Sequence, residues 1–144
     1  MLKVLIAEDD LMIADLIEAT LVAHGYEVCG IATTVAEGIA LGRLHKPDLA
    51  IIDMRLADGG LGTDIASQLD RAHLGILYAT GNASLVLKHV GDGDACLAKP
   101  YRPEDLMRSL EIVTGIVSTG IASPPFPRGF RLLDGAVHIG RSHD

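Results

Sequence analysis

Two apolar runs in this chain end in acids. Lys3-Val4-Leu5-Ile6-Ala7 leads into Glu8-Asp9-Asp10, and Leu49-Ala50-Ile51-Ile52 leads into Asp53. Runs of this kind are strands of a parallel sheet covered on both faces. If both finish at one sheet edge, several carboxylates meet there, and like charges at close range repel unless something positive stands among them. A hard divalent cation held by oxygen ligands answers that need. Two further apolar runs end in Ala79-Thr80-Gly81 and in Lys99-Pro100. The four ends therefore offer acid, acid, hydroxyl and ammonium. That set suits phosphorylation of a carboxylate with magnesium present. A carboxylate and a phosphodianion repel each other, so the metal and the ammonium must reduce that repulsion. Positioning and electrostatics supply most of what the transfer needs.

The elements that must place these groups alternate along the chain. Strand Leu2–Ala7 precedes a helix from Leu11 to His24 with Ile13, Leu16, Ile17 and Leu21 at helical spacing. Asp9 or Asp10 can cap its start and Gly25 stops it. Strand Glu27–Ala32 precedes a helix opened by the capping-box pattern Thr34-Val35-Ala36-Glu37 and ended by Pro47. Strand Leu49–Asp53 precedes a Gly-rich loop, Ala57 to Gly62, and a helix from Thr63 to about Arg71. Strand Leu74–Thr80 precedes a short, weak helix over Ser84–Val90 and a turn at Gly91-Asp92-Gly93-Asp94. Strand Ala95–Ala98 precedes a helix opened by Pro103, Glu104 and Asp105, with Leu106, Leu110, Val113 and Val117 on one face. Five repeats of strand and helix predict an α/β fold with a doubly wound, five-stranded parallel sheet. Ligands in such sheets bind beyond the carboxyl ends of the strands, where all the residues above fall.

Composition bounds the function. A chain of 144 residues is about one domain, 49% apolar but only 3% aromatic, so its core is aliphatic. A net charge of −7 argues against a nucleic-acid binder. No apolar run approaches the roughly 20 residues of a membrane span. Met1-Leu2-Lys3 enters a strand without a signal peptide. Cys29 and Cys96 have no motif spacing and read as buried thiols in a reducing cytoplasm. The six histidines share no metal spacing. Asp10 reads as a helix-capping acid rather than a metal ligand.

Glu8-Asp9, Asp53, Thr80 and Lys99-Pro100, in this order and each at a strand end, resemble the receiver domain of two-component response regulators over about residues 1–117. The resemblance implies a flavodoxin-like strand order of 2-1-3-4-5, with Asp53 as phosphoacceptor. It implies Mg2+ ligated by Asp9 and Asp53, by the backbone carbonyl of Arg55, and by Glu8 mainly through water. Thr80 and Lys99 would contact the phosphoryl oxygens. The implied partners are a sensor histidine kinase or phosphotransfer protein and an unidentified output protein. No nucleic acid or membrane partner is expected, nor an oligomer beyond a weak dimer. With helix residues Ile13, Ile17 and Leu21 facing inward, Leu11 and Ala14 with Asp15 and Glu18 remain as the kinase-docking face, together with the loop after strand five.

Cys96 departs from the pattern, since many receivers carry Tyr or Phe three residues before the lysine. Tyr78-Ala79-Thr80-Gly81 is similar instead to the Phe-Ala-Thr-Gly receivers of alphaproteobacteria. Any switching signal would then run through Thr80 and the segment after Gly81. The expected role is a stand-alone receiver, not an enzyme beyond its own phosphorylation and dephosphorylation. An aspartyl-phosphate hydrolase of haloacid-dehalogenase type would need an acid where Arg55 stands. A nucleotide-binding domain would need a Gly-rich loop where Glu8-Asp9-Asp10 stands. A phosphorylation-independent scaffold would not need this site at all. Residues 118–144 form an extension. Ser118 to Pro127 reads as a linker, and Phe130–Ile139 reads either as a hairpin about Asp134-Gly135 or as a mobile tail.

Overall fold

Val4, Leu5, Ile6 and Ala7 are all buried, yet they do not share a face. Successive side chains of a strand point to opposite sides of the sheet. Val4 and Ile6 join one apolar cluster with Ile51, Leu77 and Leu97, and Leu5 and Ala7 join a second with Ala50, Ile52, Ile76 and Tyr78. Both sides of the sheet must therefore be covered by helices. The computed structural model describes residues 1–81, 93–133 and 138–139. It contains strands β1 (Lys3–Ala7), β2 (Glu27–Ala32), β3 (Leu49–Asp53), β4 (Gly75–Thr80) and β5 (Ala95–Ala98). Between and after them lie α1 (Leu11–Ala23), α2 (Val35–His45), α3 (Gly62–Gln68) and α4 (Pro103–Thr119). The parallel strands follow the order β2-β1-β3-β4-β5. Helices α1 and α4 cover one face through Ala14, Ile17, Leu21, Leu106, Leu110 and Val113. Ile65 of α3 and Leu69 just beyond it, with Leu41 of α2, cover the other. The helix expected over Ser84–Val90 lies outside the described residues.

Local chemistry sets the helix ends. Asp10 accepts hydrogen bonds from the backbone N–H groups of Met12 and Ile13 and is the cap of α1. Thr34 caps α2 through Glu37 N at 3.1 Å. The Glu37 carboxylate reaches one residue further back than a capping box requires, to Thr33 N at 2.9 Å and the Thr33 hydroxyl at 2.7 Å. Helix α3 is shorter than expected: its last turn ends at Gln68, and Leu69 is extended.

The five-stranded parallel sheet is as expected, and a sixth, antiparallel strand from the C-terminal extension joins its edge. Strand β7 (Phe130–Leu132) lies antiparallel on β5, with Ala95 facing Leu132 and Leu97 facing Phe130. The expected hairpin pairing is not the one found. The His138–Ile139 strand (β8) pairs parallel with β6, Ile121–Ala122, and Asp134-Gly135 lies outside the described residues. The expected linker is also packed: Ser118 and Thr119 complete α4, Ala122 is buried, and Phe126 stacks on Phe130 at 5.4 Å between ring centroids. The physical reason is α4 itself. Besides its sheet face, the helix carries Ile112 and Ile116, which need their own cover and receive it from Ala122 and Phe126. Among the described residues, no helix is long and apolar enough to cross a membrane.

The loop after Asp53 is closed by an Arg55–Leu61 bridge and by Leu56 N donating to Gly60 O at 3.0 Å. Gly62 then starts α3 directly against the Asp53 backbone, its N–H donating to Met54 O at 2.8 Å. A Cβ at residue 62 would collide with the Asp53 carbonyl oxygen and the Ile52 side chain. Gly62→Ala is therefore expected to lower stability by about 1–3 kcal/mol through overpacking. The measurement is the urea midpoint, which should fall with its slope unchanged.

Candidate functional site

Parallel strands with neighbouring ends deliver their last residues to one edge. Asp53 closes β3 opposite Ala79, and Thr80 closes β4 opposite Ala98. Glu8 follows β1 and is anchored there by its backbone N–H on Ala32 O at 2.9 Å. Lys99 follows β5, and its N–H donates to Thr80 O at 2.8 Å. The Lys99–Pro100 bond is cis.

The side chains converge as the backbone directs. The Lys99 ammonium donates to Glu8 Oε1 at 2.8 Å and to Asp53 Oδ2 at 3.2 Å. Glu8 is 3% exposed, and its second oxygen accepts from Asp10 N at 3.2 Å. Carboxylate oxygens of Glu8, Asp9 and Asp53 all lie within 4.8 Å of one another. The donors are hard oxygens without a sulfur or an imidazole, which suits Mg2+ rather than a softer metal. Thr80 is 3% exposed at the same edge. Arg55 sits on the loop just past Asp53, exposed and bridged to Leu61.

Electrostatics follow from the crowding. Loss of hydration at this edge, then the hydrogen bond and charge of Glu8, push the Asp9 carboxyl above its ordinary value. Burial acts to lower the Lys99 pKa, but the hydrogen bond that the ammonium donates to Glu8 and the charges of Asp53 and Glu8 outweigh it and hold it above its usual range. Burial raises both thiols, Cys29 and Cys96, which keeps them protonated and unreactive. Cys96 is buried beside Tyr78, its register partner on β4. Tyr78 is 1% exposed, and its ring lies so close to Gly93 that a Cβ there would collide with it.

Beside the acid edge runs an apolar groove lined by Ile13, Leu16, Ile17, Lys99, Tyr101, Pro103 and Leu106. Helix α1 is rotated relative to the sequence expectation. Ala14, assigned to a docking face, is fully buried, whereas Leu16, assigned to the apolar period, is 64% exposed. The small Ala14 lets α1 approach the sheet, with Ile17 and Leu21 continuing that row at spacings of three and four. Leu11 remains exposed, as expected. The loop after β5, expected to share the docking surface with α1, supplies Tyr101 and Pro103 to the groove.

The strand order and the acid–lysine edge define a receiver-type α/β domain. The chain belongs to the response regulator receiver domain family, whose family model matches residues 4–111. It is 34% identical over 114 residues to the transcriptional regulatory protein PdtaR of Mycobacterium tuberculosis, covering 76% of this chain and 55% of that protein. Among solved structures, it is similar to the response regulator PhyR from Brucella abortus, at 30% identity and a TM-score of 0.64, over 72% of this chain and 43% of the other. It is also similar to a CheY-like receiver domain protein from Methanospirillum hungatei, at 28% identity and a TM-score of 0.67, over 77% and 91%. The chain spans about half the length of the curated relatives it matches. Receiver domains of this family serve two-component signalling and generally hold Mg2+ through acidic residues.

The raised Asp9 pKa has a testable sign. A carboxyl whose folded pKa is above its unfolded value, about 3.9, costs stability when ionised, and the cost vanishes once pH falls below both values. Asp9→Asn is thus expected to make the metal-free protein as stable or more stable at pH 7, with the gain fading as pH falls through the raised folded value and gone below about pH 3.9. The same variant should lose most of the stabilisation that added Mg2+ gives the parent. Urea titrations across pH, with and without Mg2+, check both parts.

Proposed function

We propose that this chain accepts a phosphoryl group on Asp53 from a sensor histidine kinase or phosphotransfer protein and signals by protein contact or phosphorelay. The observation that carries this reading is the Lys99 ammonium held between Glu8 and Asp53 within the three-carboxylate edge. Asp53 alone among the three closes a central strand, and its side chain is only 17% exposed while still open to a donor. Its carboxylate oxygen attacks phosphorus as the bond to the donor's nitrogen breaks. Lys99 and the Thr80 hydroxyl then donate to the phosphoryl oxygens, so that Lys99 trades its contact with the free carboxylate for one with the phosphate. Glu8 is committed through both oxygens to Lys99 and to Asp10 N, which fits a role in metal binding through water. Asp9, Asp53 and the Arg55 carbonyl would hold Mg2+ directly. Bound there, the metal would offset the negative charge that separates the carboxylate from the incoming phosphoryl group. The same groups would serve the hydrolysis of the acyl phosphate, and no other enzymatic activity is proposed.

The groove beside Lys99 supports a docking role for α1 and the loop after β5. It is apolar, it ends at the phosphoryl site, and exposed Leu11, Met12 and Leu16 extend it. Docking there would present a donor histidine to Asp53.

Two outcomes check these assignments. Incubation with acetyl phosphate and Mg2+ should add one phosphate mass to the parent and none to Asp53→Asn, which should remain folded by circular dichroism. A base-labile phosphate persisting on that variant would sink the assignment. Leu16→Asp should slow transfer from the cognate kinase at least about tenfold, the scale of one buried aliphatic side chain, without slowing acetyl phosphate. Equal slowing with both donors would place the damage at the acid edge instead.

A further inference from the structure

We propose that the cavity at the amino-terminal edge of the sheet, between the end of α2 and the turn into β4, binds a small organic phosphate monoester. Its residues precede β3 and β4, at the opposite end of the strands from Asp53. The inference goes beyond the phosphoacceptor reading and does not depend on it. The cavity measures about 390 Å3, room for a phosphate group with a ring-sized body.

Its polar wall is basic. Arg43 of α2, Lys46 just beyond the helix and His73 of the turn all line it. Asp48 and Asp70 line it too, but each has an oxygen committed to a backbone N–H. Asp48 Oδ2 accepts from Lys3 N at 2.8 Å, and Asp70 Oδ1 accepts from Ala72 N at 3.0 Å. Arg43 makes one long contact, from a terminal nitrogen to Gln68 O at 3.4 Å. Among the described residues, the Lys46 ammonium and the His73 ring have no hydrogen-bond or ion-pair partner. The floor is apolar and buried, formed by Pro47, Leu69 and Leu74. A guanidinium and an ammonium suit the oxygens of a phosphate, and the floor suits the body that the ester carries.

The backbone gives an independent indication. Lys46 and His73, at φ 48° and 72°, are the two non-glycine residues with left-handed backbone among the described residues, and both line this cavity. Such backbone ends many helices and turns, and glycine serves there at no steric cost. A lysine and a histidine carry that cost. Ending a helix or a turn needs no side chain at either position, whereas an anion site uses both. The walls are also held in place. Lys46 N donates to Gly42 O at 3.0 Å, Leu74 N to Arg71 O at 3.2 Å, and Gly75 N to Asp48 O at 2.9 Å. The basic groups thus start from fixed backbone, which lowers the ordering cost of binding.

The test is titration of the full chain with phenyl phosphate in the absence of Mg2+, followed by amide chemical shifts. Saturable shifts are expected at Lys46, His73 and Leu74, with the acid edge unmoved. Inorganic phosphate and phenol, each half of the probe, should bind at least about tenfold more weakly. Lys46→Gly and His73→Gly should each weaken phenyl phosphate binding at least about tenfold, the scale of one hydrogen bond to a charged group. Both should leave the urea midpoint unchanged or higher, because glycine relieves the left-handed backbone. Arg43→Gln, a change at an exposed side chain, should weaken binding likewise. Binding by Lys46→Gly equal to that of the parent overturns the inference. So do shifts confined to the acid edge, or no saturable shift up to about 10 mM phenyl phosphate.

Discussion

Everything at the carboxyl edge depends on one ammonium. Lys99 reaches Glu8 and Asp53 at 2.8 and 3.2 Å, where a unit-charge pair is worth about 4 kcal/mol near 4 Å at an intermediate dielectric. Three carboxylates share the edge, so one ammonium leaves two negative charges uncompensated. That residue of charge is what a divalent cation cancels, and it is why the donor set suits Mg2+ without any further basic side chain. The backbone enforces the arrangement as much as the charges do. Lys99 N is tied to Thr80 O and Glu8 N to Ala32 O, so each functional side chain starts from a strand end fixed by its neighbour.

This dependence explains why so much of the edge could be read from the sequence. A parallel sheet turns four separated motifs into one site by topology alone, because each motif directly follows a buried run. Glu8, Asp9, Asp53 and Lys99 were legible for that reason. What was not legible depends on rotation and close approach. Ala14 and Leu16 differ by two residues on α1, and a turn of the helix by a few tens of degrees decides which one faces the sheet. A periodicity of apolar residues does not decide between a buried Ala and an exposed Leu. Gly62 likewise looks like the end of a flexible loop in sequence, whereas its place is set by contact with the Asp53 backbone.

The C-terminal extension shows the same limit in tertiary form. Phe130–Leu132 has the pattern of a strand, and it is one, but its partner is β5 rather than the residues that follow Asp134-Gly135. Local turn chemistry favours a hairpin, which is marginal alone. An existing sheet edge and the bare Ile112–Ile116 stripe of α4 offer both hydrogen bonds and burial, and they win. The signal in the sequence was the α4 pattern itself. Ile112 and Ile116 fall outside the stripe formed by Leu106, Leu110 and Val113, so the helix requires cover on two sides.

A ring on β4 is matched by a small thiol on β5. Cys96 and Tyr78 are register neighbours in one cluster, so the small thiol and the large ring share the space on that face of the sheet. With the ring on β4, the bulky group belongs to the strand that ends in Thr80, two residues on. A movement of Thr80 would act on the same strand that carries the ring, and the ring in turn lies against Gly93, two residues before β5. Lys99 pulls on β5 from its other end. Thr80 and Lys99 are thus linked twice, once by the Lys99 N to Thr80 O bond and once through the packing of Tyr78 between β4 and the residue that leads into β5.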